Sequence, residues 1–363
     1  MSAAIDATDP RWAQVADVLI GYSTALRAGE RVMIAMGGLE CAPLTHALYE
    51  VCIKAGALPQ VQFLSVQLRR SLLLNGDERQ LAWAPEIESY GMDWADVYFG
   101  LRGGVTLEAM SEIPAAALSA QQAAQGAISA QRWQKTRWCL LRVPDASLAR
   151  AAQVDLETLQ DMFFDACLLD YESAAVDWRA TAAKLCGAKT VRIVDGQETD
   201  LSFSVAGRGW VVCDGKINLP DGEIYTAPVT DTVDGVIRFD LPGSLGGVSM
   251  RDIRLEWKAG ELVAASASSN QDFLQRILET DAGASRLGEF AFGLNSHINR
   301  FSGDILYDEK IGGTVHVALG RAYGDCGGVN QSRIHWDLVK DLRAGGAVYI
   351  DDNPVLQDGK LLI

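Results

Sequence analysis

The chain has 363 residues, of which 48% are hydrophobic and 22% are charged, an ordinary globular balance that excludes long disordered or fibrous segments. Because a single hydrophobic core stops growing at about 250–300 residues, two domains are expected. The 47 acidic and 32 basic residues give a net charge of −15, which repels phosphate backbones and anionic lipid surfaces. Nucleic-acid and membrane partners are therefore not expected.

The cysteines and the first residues indicate the compartment. The seven cysteines are odd in number and form no C-x-x-C pair, so neither a disulfide framework nor a thiolate zinc site is indicated. The first residues lack a basic stretch followed by an apolar core, and no stretch approaches the roughly 18 apolar residues that span a bilayer. Reduced thiols and a cytoplasmic location are expected.

The first half of the chain alternates between helical and strand-like patterns. Apolar residues recur at helical spacing over residues 12–26, and residues 43–55 predict a second helix. Short apolar runs that predict strands lie at 31–36, 61–64, 96–100 and 137–142. Strands that alternate with helices in this way favour a parallel sheet.

The pattern changes near residue 190. A helical stretch over residues 155–186 is followed by short β-rich runs that Gly, Pro, Asn and Asp interrupt. The sequence therefore predicts an α/β protein, with an N-terminal α/β domain over residues 1–188 that contains a parallel sheet. A mainly β (α+β) domain is predicted over residues 189–363.

Histidine is rare in this chain, and one of the four histidines lies in a distinctive pattern. His335 and Asp337 are two residues apart on a predicted strand, so their side chains project from the same face. For an isolated His-x-Asp, a hydrogen-bonded pair on a surface strand is the simpler interpretation, but the apolar alternate residues favour a buried metal site. His46 and His297 are predicted to be structural, although His297 could line a pocket near Glu289.

Four further residues are candidates for the same site. His316 lies in an apolar strand flanked by glycines, as a core histidine or a ligand. Glu289 is surrounded by apolar and small residues, where a carboxylate is almost never buried unless it is paired or metal-bound. Glu223 follows a Pro-Asp-Gly turn, where functional side chains are common. Glu309 is less distinctive, and a solvated loop charge is the simpler interpretation.

The number of these candidates indicates the chemistry. Two histidines and three or four carboxylates exceed the three protein ligands of a single catalytic zinc ion. Two divalent ions, bridged by a carboxylate and water, would use such a set and generate hydroxide at neutral pH. The expected cofactors are two ions of zinc, cobalt or manganese, and the expected chemistry is hydrolysis.

Four ordered blocks carry a resemblance to a known family. The blocks are NLPDGEIYTAP (218–228), LGEFAFG (287–293), DEKIGGTVHVALG (308–320) and SRIHWDL (332–338). Together they resemble the aminopeptidase T / aminopeptidase S family, peptidase family M29. The resemblance is dense from about residue 170 onward and weaker before it.

The resemblance implies an activity and a set of site residues. It implies a metal-dependent aminopeptidase that hydrolyses the N-terminal peptide bond or a small amide, and a homodimer whose N-terminal domain borders the active-site cavity. Glu309 is implied as a further carboxylate, Tyr323 as the catalytic hydroxyl, and Glu289 or Glu309 as the group that relays a proton. The implied ligands of the two metal ions are Glu223, Glu289, His316, His335 and Asp337.

Two other functions remain open at this stage. The 2,5-dihydroxypyridine dioxygenases are similar to this family but bind one ferrous iron, for which His316, His335 and Asp337 could form the ligand triad. In that branch a histidine replaces the carboxylate that matches Glu289, so the glutamate here favours the peptidase. A metal-stabilised binding protein without turnover is the third hypothesis, although Tyr323 and the glycine-rich loop after it favour an open cavity.

Overall fold

The computed structural model describes residues 5–104, 113–131 and 135–363. The chain divides into two compact units. The first contains Met1–Tyr171 and Gly215–Pro220, and the second contains Glu172–Asp214 and Asp221–Ile363. Apart from the segment Gly215–Pro220, the first unit ends at Tyr171. The domain boundary after residue 188 stays a prediction.

The first unit contains a four-stranded sheet in the order β2-β1-β3-β4. All three pairings are parallel, which confirms the predicted parallel sheet. The strands are β1 (Arg31–Met36), β2 (Leu58–Phe63), β3 (Val97–Arg102) and β4 (Arg137–Arg142). Strands β1, β3 and β4 are mostly buried along their length, as expected of parallel strands that are covered on both faces.

Helices surround this sheet in the sequence order that the pattern predicted. The described helices of the first unit are α1 (Arg11–Val18, continued by a π-helical turn over Leu19–Ser23), α2 (Ala42–Lys54), α3 (Val66–Asn75), α4 (Glu78–Ala82), α5 (Glu86–Trp94), α6 (Ala115–Ala130), α7 (Ala146–Ala151) and α8 (Leu156–Cys167). In the described part of the chain, no helix has the length and apolar character needed to cross a bilayer.

The single helical stretch predicted over residues 155–186 is wrong in one respect, because it is two helices. Helix α8 ends at Cys167, and α9 (Tyr171–Leu185) follows a short turn. The Tyr171 hydroxyl donates a hydrogen bond of 2.9 Å to the carbonyl oxygen of Ala166. This bond ties the start of α9 to the end of α8, and it is a local contact that helical periodicity does not report.

The second unit is built mainly from antiparallel sheets, as predicted. An eight-stranded sheet has the order β13-β12-β9-β6-β5-β17-β18-β19, and a five-stranded sheet has the order β16-β15-β14-β8-β7. The first of these contains β5 (Thr190–Val194), β6 (Asp200–Ser204), β9 (Asp234–Arg238), β12 (Arg254–Lys258), β13 (Glu261–Ser266), β17 (Ala347–Ile350), β18 (Asn353–Gln357) and β19 (Lys360–Leu361).

The five-stranded sheet carries most of the residues singled out in the sequence. It contains β7 (Val211–Cys213), β8 (Glu223–Thr226), β14 (Leu287–Gly293), β15 (Thr314–Gly320) and β16 (His335–Asp341). A hairpin of β10 (Gly243–Leu245) and β11 (Val248–Met250) and the helices α10 (Gln271–Leu278) and α11 (Ile305–Asp308) complete the described elements of this unit, with the 3-10 turn Thr230–Thr232.

One face of the five-stranded sheet, here called the apolar face, is formed by aromatic and aliphatic side chains. Phe290 and Phe292 alternate along β14 with small or charged residues, and their ring centroids are 5.0 Å apart. Phe203 of the eight-stranded sheet packs edge-on against Phe290 at 5.5 Å. Trp336 and Leu338 of β16 are also buried. The core of the second unit therefore lies between its two large sheets.

Candidate metal centre

The opposite face of the five-stranded sheet, here called the polar face, collects candidates from four adjacent strands. Directly paired residues of an antiparallel sheet project from the same face. The register pairs Glu289 with Ala318 and Ala318 with Asp337, and it pairs Gly293 with Glu223. The residues that project from this face include Glu223, Glu289, His316, His335 and Asp337. Small residues between them leave room for the long charged side chains.

Glu309 reaches the polar face through a loop that crosses β14. The loop follows α11, and a side chain at Gly293 would place its Cβ only 2.3 Å from the carbonyl oxygen of Ile311. Glycine at this position therefore permits the close crossing. The backbone N–H of Asn295 donates a 3.0 Å hydrogen bond to the carbonyl oxygen of Lys310, which holds the crossing in place.

The candidate ligands form two groups of three. Glu223, Glu309 and His316, here called the first ligand group, have one ligand atom each within 4.8 Å of the others. Glu289, His335 and Asp337, the second ligand group, satisfy the same limit. The Nε2 atom of His316 lies 3.2 Å from Oε1 of Glu289. The two groups are therefore adjacent and joined by this contact.

His335 is oriented with one particular nitrogen toward the carboxylates. Its Nδ1–H donates a 2.7 Å hydrogen bond to the carbonyl oxygen of Arg321. Its Nε2 faces Asp337 Oδ1 at 3.2 Å and Glu289 Oε2 at 3.6 Å. A hydrogen bond that fixes the second ring nitrogen is characteristic of metal-binding histidines, because it sets the tautomer and the ring orientation.

Burial and mutual repulsion perturb the charges of this cluster. Burial raises the pKa of Glu289, and it raises the pKa of Glu309 to about 8. Burial opposes the charged form of the histidines, but the neighbouring carboxylates outweigh it and raise the pKa of His316 to about 9 and that of His335 to about 10. Without bound metal ions, the carboxylates therefore hold protons on both imidazoles.

Several buried polar atoms of the cluster lack a hydrogen bond, and their chemistry fits a metal centre. Within the described residues, Glu223 Oε2, Glu289 Oε2, Asp337 Oδ1 and His316 Nδ1 are buried and have no hydrogen-bond partner. Buried polar atoms are rarely left in this state. Three of the four are carboxylate oxygens on one face, and oxygen and imidazole nitrogen are the donors that zinc, cobalt and manganese share. The residues present therefore fit bound divalent ions.

Two charged residues of the site were missed in the sequence. Lys310 is fully buried, and its Nζ lies 3.3 Å from Glu223 Oε2 and 3.5 Å from Asp221 Oδ1. The ammonium also contacts Glu309 directly. Asp221, Glu223 and Cys213 form a third group with ligand atoms within 4.8 Å. The only signal for Lys310 was its place two residues before a Gly-Gly pair in a mostly apolar stretch, and this pattern does not reveal that the lysine is buried.

Three sequence-based interpretations can now be corrected or decided. Glu309 is not a solvated loop charge, because its side chain is only 13% exposed and contacts the buried ammonium of Lys310. The His335–Asp337 pair is buried in a cluster and is not an isolated surface pair. His316 is both fully buried and in contact with Glu289. His46 and His297 are exposed and belong to none of the three groups.

Tyr323 lies beside the second ligand group. Its ring centroid is 4.8 Å from that of His335 and 5.7 Å from that of Tyr225. Burial, together with the charges of Glu289 and Asp337, raises the pKa of Tyr323 well above its usual value. The hydroxyl therefore keeps its proton and can donate a hydrogen bond. Tyr225 is already engaged, because its hydroxyl donates to Asp325 Oδ2 at 2.7 Å.

Comparison with known proteins identifies the family. The family profile described as thermophilic metalloprotease (M29) matches residues 8–360. Aminopeptidase T of Thermus thermophilus is 28% identical over 355 residues, which cover 88% of this chain and 86% of that protein. The resemblance seen in the four blocks is therefore confirmed over the length of the chain.

Two solved structures share the fold. Wild-type AmpT from Thermus thermophilus superimposes with a TM-score of 0.82 at 23% identity, covering 97% of this chain and 99% of that chain. The 2,5-dihydroxypyridine dioxygenase of Pseudomonas putida KT2440 gives 0.60 at 14% identity, covering 97% and 96%. At these identities the likeness establishes the fold alone, and it confirms the predicted α/β class. The family profile decides the assignment: the chain belongs to the M29 family of thermophilic metalloproteases, which are metal-dependent hydrolases.

Proposed function

We propose that this chain is an aminopeptidase that hydrolyses the N-terminal bond of a peptide or a small amide at a centre of two divalent metal ions. The observation that carries this proposal is the pair of ligand groups, each with three donors, joined by the His316–Glu289 contact of 3.2 Å. The name of the related aminopeptidase T supports the substrate class. A peptide or small amide is therefore the proposed substrate.

The charge of the cluster supports two ions. Five carboxylates, three of them buried and two largely buried, and one buried ammonium leave four negative charges when the histidines are neutral, as ligands must be. Two divalent ions would neutralise this charge, whereas one ion would leave two uncompensated charges in a buried site. The carboxylates are Asp221, Glu223, Glu289, Glu309 and Asp337, and the ammonium is that of Lys310.

The two ligand groups would each hold one ion. Glu223, Glu309 and His316 would hold the first, and the second ligand group would hold the other. Zinc, cobalt and manganese all accept these donors. When bound, such ions lower the pKa of a water molecule and polarise a substrate carbonyl.

The side chains around the ions supply the remaining chemistry. The Tyr323 hydroxyl donates a hydrogen bond to the scissile carbonyl oxygen as negative charge develops on it. Glu289 or Glu309 accepts the proton of the attacking water and passes it to the leaving amine.

The dioxygenase alternative is supported less well. Its ligand triad would be His316, His335 and Asp337, but among the described residues these three do not form one of the close groups. His316 instead lies with Glu223 and Glu309, and Glu289 stands between the two histidines. The metalloprotease family match also argues against a binding protein without turnover.

We further propose that the enzyme works in the cytoplasm as a homodimer. None of the seven cysteines, which all lie in the described part of the chain, is in a disulfide bond, and reduced thiols are typical of reducing compartments. The dimer follows from the family resemblance alone. Sedimentation equilibrium of the purified chain tests it, since a monomeric mass at micromolar concentration contradicts the proposal.

The decisive experiment measures metal content and activity together. The protein is purified without chelators, its metal is counted per chain, and hydrolysis of unblocked leucine amide is followed with zinc, cobalt or ferrous iron added. Two ions per chain and release of the amine support the aminopeptidase. One iron per chain, with oxygen uptake on a dihydroxylated ring and no amide cleavage, contradicts it and supports the dioxygenase.

A further inference from the structure

Lys310 is an unusual component of a metal centre, because it is a cation within a site for cations. Its side chain is fully buried, and its ammonium faces Asp221 at 3.5 Å, Glu223 at 3.3 Å and Glu309 in direct contact. Glu223 and Glu309 belong to the first ligand group. The ammonium therefore shares two carboxylates with one of the proposed metal ions.

We infer that Lys310 is a positioning residue that acts as a fixed third cation of the centre. Its ammonium offsets the mutual repulsion of the carboxylates before metal binds, and it limits the remaining negative charge to that of two divalent ions. This inference rests on the proposed two-metal function and deepens it.

The third ligand group shows where this cation acts. Cys213, Asp221 and Glu223 have the spacing of a metal site, yet the Lys310 ammonium already lies within ion-pair distance of both carboxylates. A divalent ion at this group would be placed against a buried positive charge, which is strongly unfavourable at short distance. The lysine therefore disfavours a divalent ion at the third ligand group, whereas the first ligand group also has the His316 imidazole, whose Nε2 lies 3.7 Å from Glu223 Oε2.

The backbone around Lys310 fixes the position of its charge. The Lys310 N–H donates to the carbonyl oxygen of Tyr307 at 3.0 Å, and its own carbonyl oxygen accepts from the Asn295 N–H at 3.0 Å. The Asn295 side chain in turn donates to the carbonyl oxygen of Asp221 at 2.8 Å. Asn295 thus ties the lysine segment to the segment that carries Asp221 and Glu223.

Opposite effects on the metal-free and metal-loaded protein follow from this arrangement. In the metal-free protein the ammonium offsets carboxylate repulsion, so it stabilises the fold. In the loaded protein it repels the bound ions, so it weakens their binding. A lysine that merely fills space or pairs locally would stabilise both forms equally.

The test compares Lys310→Met with a matched control, Lys340→Met. Lys340 is the other buried lysine of this unit, and its ammonium bridges Asp195 at 2.6 Å and Asp240 at 2.7 Å outside the three ligand groups. Zn²⁺ affinity is measured by calorimetric titration of chelator-treated protein, and Tm is measured with and without Zn²⁺.

For Lys310→Met we expect a lower Tm without Zn²⁺ than that of the wild-type protein. We also expect the more weakly bound of the two Zn²⁺ ions to bind at least tenfold more tightly, and Tm to rise further when Zn²⁺ is added. For Lys340→Met we expect an equal fall in Tm with and without Zn²⁺ and an unchanged affinity. Unchanged or weaker Zn²⁺ binding in Lys310→Met overturns the inference, as does an equal fall in its two Tm values.

A second variant serves if Lys310→Met does not fold. Asp221→Asn removes a charge that contacts Lys310 but belongs to neither proposed metal group, so we expect severalfold weaker Zn²⁺ binding; an unchanged affinity overturns the inference. If the wild-type protein binds two Zn²⁺ ions but the variants do not give the expected results, the inference about Lys310 is disproved and the proposed two-metal function stands. Wild-type protein that binds fewer than two overturns the proposed function and this inference together.

Discussion

The apolar and polar faces of the five-stranded sheet are formed by the same strands but by different chemistry. On β14, Phe290 and Phe292 point to the apolar face, and Glu289, between Gly288 and Phe290, points to the polar face. On β16, Trp336 and Leu338 alternate in the same way with His335 and Asp337. Every residue of β14 and β15 is buried, so the difference does not reflect contact with solvent.

This comparison separates stability from function in one element. Burying an aromatic side chain stabilises the fold, whereas burying a carboxylate costs free energy unless a cation or hydrogen bonds compensate it. The buried carboxylates of the polar face therefore lower the stability of the fold unless a cation compensates them, as is typical of functional sites. Substitutions on the two faces should have different consequences.

The largest expected effect is on the polar face. Glu289→Ala and His335→Ala each remove a ligand that lies in the second group, so kcat/KM for leucine amide should fall by about 10⁴-fold or more. Circular dichroism should show that both variants remain folded, and metal content should decrease. The control is His297→Ala, an exposed histidine outside the groups, which should retain activity. Normal turnover in either ligand variant would remove the proposed site.

The next effect is on the apolar face. Phe292→Ala deletes a fully buried ring that stacks on Trp210 and contacts Phe290, so the free energy of unfolding should fall by about 3–5 kcal/mol. Urea denaturation measures the change. The folded fraction should keep its metal content, and a loss of metal there would show that the two faces are not independent.

A smaller effect is expected at Tyr323. Because its hydroxyl donates a hydrogen bond to the reacting oxygen in the proposed mechanism, Tyr323→Phe should lower kcat by about 10²–10³-fold with little change in KM or metal content. Tyr225→Phe is the matched control, since that hydroxyl already donates to Asp325. Equal losses in the two variants would contradict the assignment of Tyr323.

The smallest expected effect is a change in the thermal stability of the metal-free protein as pH rises. The pKa values of His316 and His335 are raised to about 9 and about 10, above about 6.5 in an unfolded chain. Their contribution to stability is therefore fully present below pH 6.5 or so and is lost as pH rises through 9 to 10. Calorimetry should show Tm of chelated protein falling over this range. With Zn²⁺ bound the histidines are already neutral, so an equal fall there would contradict this origin.

Local pattern predicted much of this molecule. The period of two in His335-Trp-Asp337 placed the ligand pair on one face, and the apolar surroundings of Glu289 and His316 indicated burial. Strands β1 and β4 occupy the apolar runs that were predicted over residues 31–36 and 137–142. These features depend on neighbours in the chain, so a single sequence is enough to reveal them.

Other features depend on residues far apart in sequence. Glu309 was assigned to solvent because nothing near it in sequence covers it. Its burial requires the loop to cross β14 at Gly293, and that crossing is a tertiary contact.

The sequence by itself determined the kinds of candidate ligand, the strands that carry most of them and the family, because side-chain chemistry and strand periodicity are local properties. Only the tertiary structure decided how the ligands divide into two groups and that Lys310 and Asp221 stand beside them. The physical reason is that strand register sets which carboxylates face each other. Whether a charge is buried depends on segments that come together only when the chain folds.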